Sequence, residues 1–132
     1  MPRKLPALTA ENRAFWQGGE HGQLLIHHCE ACARFFHPPS PVCPRCASFE
    51  VRPRPVSGKG SVASFTLNYQ QWTPQLEVPF VIAIIELIEQ PGLRFLSNVV
   101  GCDPLSVSIG TRVRVTFENH EDVWLPLFEK DQ

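Results

Sequence analysis

The sequence predicts a mainly β protein that has a short helix at its start, then a metal-binding ribbon and finally a five-stranded barrel. Two closely spaced cysteine pairs lie in the first half of the chain, and segments that alternate like β-strands fill most of the rest. Thirteen prolines and eight glycines supply turns between them. The 132 residues suit one compact unit or a small metal-stabilised module joined to a larger domain. We expect a helical segment over 1–23, a ribbon over 24–50 and a barrel over 51–132.

The first element is a short helix that begins after Thr9. Threonine is a preferred N-cap residue, and Gly18 and Gly19 suit the left-handed backbone that follows many helices. The adjacent aromatic residues Phe15 and Trp16 are the apolar anchor of this helix. Such a short helix is marginal alone, so its aromatic side chains must pack on the chain's own domain or on a partner. We expect Phe15 and Trp16 to be partner-docking residues.

Two pairs of the form C-x2-C define the ribbon. Cys29 and Cys32 form the first pair, and ten residues separate it from Cys43 and Cys46. Each pair can aim two thiolates at one point, so that the two pairs give the tetrahedral sulfur site that zinc favours. Four thiolates leave no coordination position open, and the predicted zinc is therefore structural.

Disulfide bonds are the alternative use of these cysteines. The start of the chain, Met1 to Lys4, lacks the apolar stretch of a secretory signal, and the longest apolar run, Phe80 to Ile85, is too short to span a membrane. We therefore expect a cytoplasmic protein, and disulfides are rare in that compartment. The fifth cysteine, Cys102, is expected to be a small structural residue.

Strands are expected on both sides of the first cysteine pair, at 24–27 and 34–37. The proline-rich segment that follows returns the chain to the second pair in an extended conformation. The sequence Arg-Pro-Arg-Pro at 52–55 is predicted to be a hinge, because it is followed by a glycine-containing turn.

Beyond this hinge nearly every segment has the pattern of a strand. The predicted strands are 62–69, 80–88, 93–100, 112–118 and 123–128. Proline has no N–H to donate to the hydrogen bonds of a central strand, so Pro126 indicates that the last strand lies at an edge of the sheet. Five strands in about 80 residues, with Gly and Pro turns between them, fit a small Greek-key barrel of the OB type.

Charge is unevenly distributed although the net charge is only −1. The segment 33–60 is basic, and 75–132 is acidic. The basic residues of interest are Arg45, Arg52, Arg54 and Lys59. They form either a solvated face or a site for phosphates or an acidic partner surface. The near-neutral total argues against a strongly electrostatic nucleic-acid binder.

Several motifs together resemble one known family. They are Phe15-Trp16, the first cysteine pair before His37-Pro38-Pro39, Val42-Cys43-Pro44-Arg45-Cys46, Val56-Ser57-Gly58-Lys59-Gly60, Ser64-Phe65-Thr66, Pro79-Phe80-Val81, Asn98-Val99-Val100-Gly101-Cys102 and Ile109-Gly110-Thr111-Arg112-Val113. In order and spacing the set is similar to the OB-fold family with a rubredoxin-like zinc ribbon that accompanies acyl-CoA enzymes. The match covers nearly the whole chain.

The resemblance implies a non-catalytic accessory subunit with structural Zn2+. Such proteins resemble subunits of thiolase-like enzymes, acyltransferase complexes and enoyl-CoA hydratases, in which the ribbon bridges subunits and the OB domain lies near the acyl-CoA entrance. No serine, histidine and acid triplet has a recognisable signature in the sequence, which agrees with this role. The alternative is a barrel that binds single-stranded nucleic acid through aromatic residues and a basic groove. The acidic barrel favours the accessory subunit.

Overall fold

The computed structural model describes residues 5–72, 74 and 77–131. In these residues it has one α-helix, α1 (Arg13–Gln17), followed by a 3₁₀ turn (Gly18–His21), and eight strands. A second short 3₁₀ turn (Pro104–Ser106) lies between the sixth and seventh strands. The strands are β1 (Leu24–Cys29), β2 (Arg34–Phe36), β3 (Val51–Val56), β4 (Lys59–Asn68), β5 (Phe80–Leu87), β6 (Arg94–Val99), β7 (Arg112–His120) and β8 (Val123–Lys130). They form a three-stranded sheet in the order β2-β1-β3 and a closed barrel in the order β4-β5-β6-β8-β7. The predicted fold, with ribbon and five-stranded barrel, is confirmed.

Helix α1 starts later than the sequence predicts. Asn12, and not Thr9, immediately precedes it. The two residues bond to each other instead, since Asn12 Oδ1 accepts from the Thr9 N–H at 2.7 Å and Thr9 Oγ1 accepts from the Asn12 N–H at 3.2 Å. The described part of the chain has no helix long and apolar enough to cross a membrane.

The two glycines after α1 are not in the left-handed conformation. Gly18 has φ −60°, and the left-handed residue is Gly22 at φ 71°. The chain continues from α1 into the 3₁₀ turn, which needs a right-handed backbone. Gly19 is required for space, because a Cβ there would lie 2.5 Å from Phe117 Cδ1 and from Trp124 Cβ. This contact seats the N-terminal segment on the barrel.

The predicted hinge at 52–55 is wrong, because these residues belong to strand β3. This strand pairs antiparallel with β1 from Cys29↔Val51 to Leu24↔Val56. Two prolines alternate along it, and proline is tolerated in a strand only where its missing N–H would face away from the ladder. Because β3 is an edge strand of the sheet, that condition holds. The ribbon sheet therefore extends to Val56.

A bulge changes which residues of β4 face inward. The register with β5 shifts between Val62 and Ser64. As a result Val62 is 1% exposed, and Phe65 and Leu67 pack against the same core. The uninterrupted alternation expected for 62–69 had placed Val62 opposite to Phe65 and Leu67, and this part of the prediction is wrong.

Strand β8 is not an edge strand. It lies between β7 and β6 in the closed barrel and pairs with β7 along its whole length. Its pairing with β6 is parallel and consists of Val99↔Phe128, which lies beyond Pro126. Pro126 therefore lies before the point at which β8 pairs with β6, so its missing N–H interrupts no hydrogen bond between these two strands.

The core joins the three parts of the chain. Its buried side chains come from α1, β1 and the barrel, and include Phe15, Leu24, Ile26, Val62, Val81, Ile85, Leu87, Phe95, Val113 and Phe128. Since helix and ribbon residues share this cluster with barrel residues, the N-terminal half is packed against the barrel.

Candidate metal centre and apolar groove

The four cysteines of the ribbon converge on one point. Their Sγ atoms all lie within 4.8 Å of one another, with 3.6 Å between Cys29 and Cys46 and 3.7 Å between Cys32 and Cys43. Tetrahedral zinc with Zn–S bonds of about 2.3 Å places its sulfurs roughly 3.8 Å apart. A disulfide would need about 2.05 Å, and all five cysteines of the chain are free. The arrangement fits a structural Zn2+ ion.

The two cysteine pairs form knuckles of the same geometry. In the first, the Ala33 N–H donates to the Cys29 carbonyl at 2.8 Å, and in the second the Ala47 N–H donates to the Cys43 carbonyl at 2.9 Å. Both alanines have a positive φ, 59° and 63°. This conformation is unfavourable for alanine and is held here by the surrounding turn.

Backbone donors prepare the sulfurs for a metal. The N–H groups of Cys46 and Arg45 point at Cys43 Sγ, at 3.5 and 3.4 Å. These donors lower the pKa of the Cys43 thiol to about 6 and so favour the thiolate that zinc requires. Burial instead raises the pKa of Cys32 to about 12. A bound cation supplies the charge that stabilises its thiolate.

A hydrogen-bonded chain of side chains lies beside the first knuckle. His28 Nδ1 is 2.6 Å from Glu30 Oε2, and Arg54 grips the same carboxylate with Nε, at 2.9 Å, and with Nη2. The hydrogen bonds from the Arg54 guanidinium lower the pKa of Glu30 to about 2, and the hydrogen bond to His28 makes a smaller contribution in the same direction. Arg54 is therefore paired within the ribbon.

The structure does not gather the four predicted basic residues into one free cluster. Arg54 is bound to Glu30, and Lys59 lies at the start of β4 opposite Arg114 of β7. Arg45 in the second knuckle and Arg52 on β3 have exposed side chains. Within the described residues neither has a carboxylate partner.

Phe15 packs inside the chain. It is 4% exposed, and its ring lies 4.7 Å from the His37 ring and 5.7 Å from the Phe95 ring. Of the two possibilities that the sequence left open, Phe15 therefore packs on the chain's own domain. The expectation that Phe15 docks a partner is corrected, because its surface is already covered. Trp16, its half-buried neighbour, remains at the surface.

Trp16 borders an apolar groove between the helix, the ribbon and the barrel. One part has a volume of about 530 Å3 and is lined by Asn12, Phe15, Trp16, His37, Pro38, Pro39, Arg94, Phe95 and Leu96. It adjoins a smaller pocket of about 160 Å3, which reaches Leu125, Pro126 and Leu127. Leu96 is 67% exposed and lies directly opposite Ile84 on β5. Sequence analysis missed Leu96, although alternation from buried Phe95 would have placed it outward.

His37 joins the three walls of this groove. It follows β2 and contacts the rings of both Phe15 and Phe95. Burial lowers the pKa of His37 to about 4, and the nearby His27 makes a smaller contribution in the same direction. The groove wall therefore carries a neutral imidazole at neutral pH.

Comparison with known proteins agrees with this geometry. Residues 16–52 match the family described as "ChsH2, rubredoxin-like zinc ribbon domain", and residues 53–118 match "ChsH2, C-terminal OB-fold domain". A solved chain described as "Ltp2-ChsH2(DUF35) aldolase" superposes with a TM-score of 0.84 at 32% identity, covering 96% of this chain and 98% of the other.

Two curated relatives show similarity in different contexts. A probable enoyl-CoA hydratase alpha subunit of Thermomonospora curvata is 34% identical over 96% of this chain, which spans only 39% of that protein. A DUF35 domain-containing scaffold protein of Methanothermobacter thermautotrophicus is 36% identical over 67% of this chain and 67% of its own length.

Proposed function

Because the chain belongs to the ChsH2 family, in which a rubredoxin-like zinc ribbon precedes an OB-fold domain, we propose that it is a non-catalytic accessory subunit of an acyl-CoA-processing complex. Its partner is a thiolase-like, acyltransferase or hydratase subunit, and the complex is cytoplasmic. The observation that carries the proposal is the closed metal site. Four thiolates saturate a tetrahedral ion, so no position is left for a substrate or an activated water.

The names of the relatives support the same class of function. One is named as the alpha subunit of an enoyl-CoA hydratase, one as a scaffold protein, and the solved chain is described with an aldolase. A scaffold protein holds a catalytic chain in place and needs no catalytic residues of its own. The role of the ribbon in this proposal is to bridge subunits.

The exposed apolar groove supports docking. Leu96 and Ile84 leave apolar surface in water on the outside of the barrel, and half-buried Trp16 of α1 lines the groove beside Leu96. Such contiguous surface marks an interaction site. Trp16 is thus the docking residue that remains of the predicted pair.

The unpaired cations give the proposal an electrostatic component. Arg45, Arg52 and Lys59 face either the phosphates of coenzyme A or an acidic strip on the partner. Arginine suits both, because its planar fork can donate two hydrogen bonds at once. Arg54 takes part only where a ligand competes with Glu30 for its guanidinium.

The test is an assay of the purified, zinc-loaded chain with acyl-CoA thioesters, alone and with the acyl-CoA enzyme encoded beside its gene. We expect no turnover from the chain alone, co-purification with that enzyme, and a change in the activity of the enzyme. Turnover by the isolated chain that a single substitution abolishes would show that the chain is itself an enzyme.

The second candidate function is binding of single-stranded nucleic acid. The observation that favours it is the exposure of Tyr69 and Trp72, at 63% and 72%, since bases stack on such rings. Titration with single-stranded DNA and RNA tests it. Micromolar binding that Trp72→Ala weakens and that salt weakens further would favour this function over the first.

A further inference from the structure

The end of the ribbon carries an aromatic side chain that the chain itself does not use. Phe49 follows the second cysteine pair and is 80% exposed, more than any other large apolar side chain in the described residues. A phenylalanine in this position leaves most of its apolar surface in water, which is unfavourable unless another surface covers it.

Hydrogen bonds to the two cysteine knuckles hold the backbone on both sides of Phe49. The carbonyl of Ser48, which precedes Phe49, accepts from the Cys43 N–H at 2.9 Å in the second knuckle. The carbonyl of Glu50, which follows it, accepts from the Glu30 N–H at 2.8 Å in the first knuckle. Phe49 therefore lies on a backbone bridge between the two knuckles, and little backbone entropy remains to be lost when its ring is bound.

Two unpaired arginines flank Phe49 in the sequence. Arg45 and Arg52 are exposed and, in the part of the chain that the structure describes, have no carboxylate partner. Arg54, Arg94 and Arg114 differ in this respect, because they pair with Glu30, Glu86 and Glu129. Arg112 on β7 is also exposed without a carboxylate partner among the described residues, so it can serve as a control. The segment 44–52 contains one acidic residue, Glu50, and keeps a net positive charge.

We propose that Phe49, Arg45 and Arg52 form a docking tip, which inserts the Phe49 ring into an apolar pocket of the partner enzyme whose rim carries carboxylates. This inference rests on the proposed function and identifies the chemistry of the partner surface. Interfaces are enriched in aromatic residues and arginine, and an aromatic anchor with desolvated surroundings supplies most of the binding energy.

Site-specific photocross-linking in cells tests the docking tip in the full chain. Benzoylphenylalanine replaces Phe49 in one variant and Leu96 of the groove in another, and cross-linked proteins are identified by mass spectrometry. We expect an acyl-CoA enzyme to be captured at position 49, through a peptide that contains Asp or Glu beside apolar residues. Capture of such an enzyme at position 96 but not at 49 would overturn the docking tip and leave the proposed function standing. Capture of no acyl-CoA enzyme at either position would overturn both.

Substitutions then measure the contribution of each side chain to the affinity for the captured enzyme. We expect Phe49→Ala to raise Kd about 30-fold, as for a hot-spot residue, while Leu105→Ala, at a residue that is 68% exposed on the barrel, changes it less than about twofold. Arg45→Glu with Arg52→Glu should slow association, and more strongly at low salt. Arg112→Glu is the charge-matched control for each single reversal, Arg45→Glu and Arg52→Glu, and bound zinc should stay at the parent level in all variants.

Two results would contradict the docking tip. The first is a Kd for Phe49→Ala within about twofold of the parent value. The second is that the arginine reversals weaken binding of free acyl-CoA to the isolated chain while Phe49→Ala leaves the enzyme affinity unchanged, which would assign the arginines to the phosphates of the coenzyme.

Discussion

Gln90 holds the backbone of Phe35 with two hydrogen bonds. Its Nε2 donates to the Phe35 carbonyl at 2.8 Å, and its Oε1 accepts from the Phe35 N–H at 2.9 Å. Gln90 lies in the turn between β5 and β6, whereas Phe35 lies in β2, the outer strand of the ribbon sheet. One side chain of the barrel thus completes the edge of the ribbon as a neighbouring strand would.

Gln90→Ala should loosen the ribbon on the barrel. Each of the two hydrogen bonds contributes about 0.5–1.5 kcal/mol net, so we expect a loss of about 1–3 kcal/mol in the free energy of unfolding. Denaturant unfolding measures the loss, and amide exchange at Phe35 should become faster. Gln23→Ala, at an exposed glutamine, is the control. Unchanged exchange at Phe35 would show that this contact does not fix the ribbon.

The metal centre predicts one zinc ion per chain. Cys43→Ser with Cys46→Ser should abolish bound zinc, because it removes both ligands of the second knuckle, whereas Cys102→Ser should retain it. Chelation should unfold the ribbon before the barrel, whose strands form a separate sheet. Metal analysis and amide exchange provide the measurements. Full zinc content in the double variant would contradict the assignment of these ligands.

Stability should fall in mildly acid solution because of His37. The pKa of His37 is lowered from 6.5 to about 4 in the folded chain. Between these values the unfolded chain binds a proton that the folded chain does not, so the free energy of unfolding falls as the pH falls through this window. His37→Phe keeps an aromatic ring against Phe15 and removes this proton. The variant should show a flatter dependence between pH 6.5 and 4.

Subtracting the pH dependence of the unfolding free energy of His37→Phe from that of the parent isolates the contribution of His37, because cysteine protonation contributes equally to both. His27, whose pKa burial also lowers, leaves a residual slope in the variant. Parallel curves for the parent and His37→Phe would mean that His37 is as easily protonated in the folded chain as in the unfolded one.

Gly19→Ala should detach the N-terminal segment from the barrel. The added Cβ meets Phe117 and Trp124 at 2.5 Å, and overpacking of this kind costs about 1–3 kcal/mol. Limited proteolysis before β1 and thermal unfolding measure the effect. Gly22→Asn is the control, because nothing lies within 4 Å of its Cβ position and asparagine tolerates the left-handed backbone. Equal stability of the two variants would mean that the segment does not depend on this contact.

Local spacing made part of this molecule predictable. Cys29, Cys32, Cys43 and Cys46 are spaced so that a short turn brings each pair together, and alternation identified the five barrel strands. The bulge after Val62 was not predictable, because the Val-Ala-Ser sequence contains no residue that demands it. Strand β3 was misinterpreted for the opposite reason. Its prolines suggest a hinge until the neighbouring strand is known.

The free or paired state of a charge also depends on distant residues. Arg54 appeared equivalent to Arg52 in the sequence, yet only Arg54 meets Glu30, which lies 24 residues earlier. The pairing of β1 with β3 creates that contact. Phe15 was ambiguous in the same way, since only the position of Phe95 decides whether its ring is covered by the chain or by a partner.

The barrel has a seam between β6 and β8. Val99↔Phe128 is the pair that joins these strands, with the Val100 N–H donating to the Phe128 carbonyl at 2.7 Å and Ser97 Oγ donating to the Pro126 carbonyl at 2.8 Å. The smaller pocket of the groove contains residues from both sides of this seam. A molecule bound in this pocket would contact both strands and would slow their local separation. The rate at which the Val100 amide exchanges with solvent is then a gauge of occupancy that needs no label on the occupant.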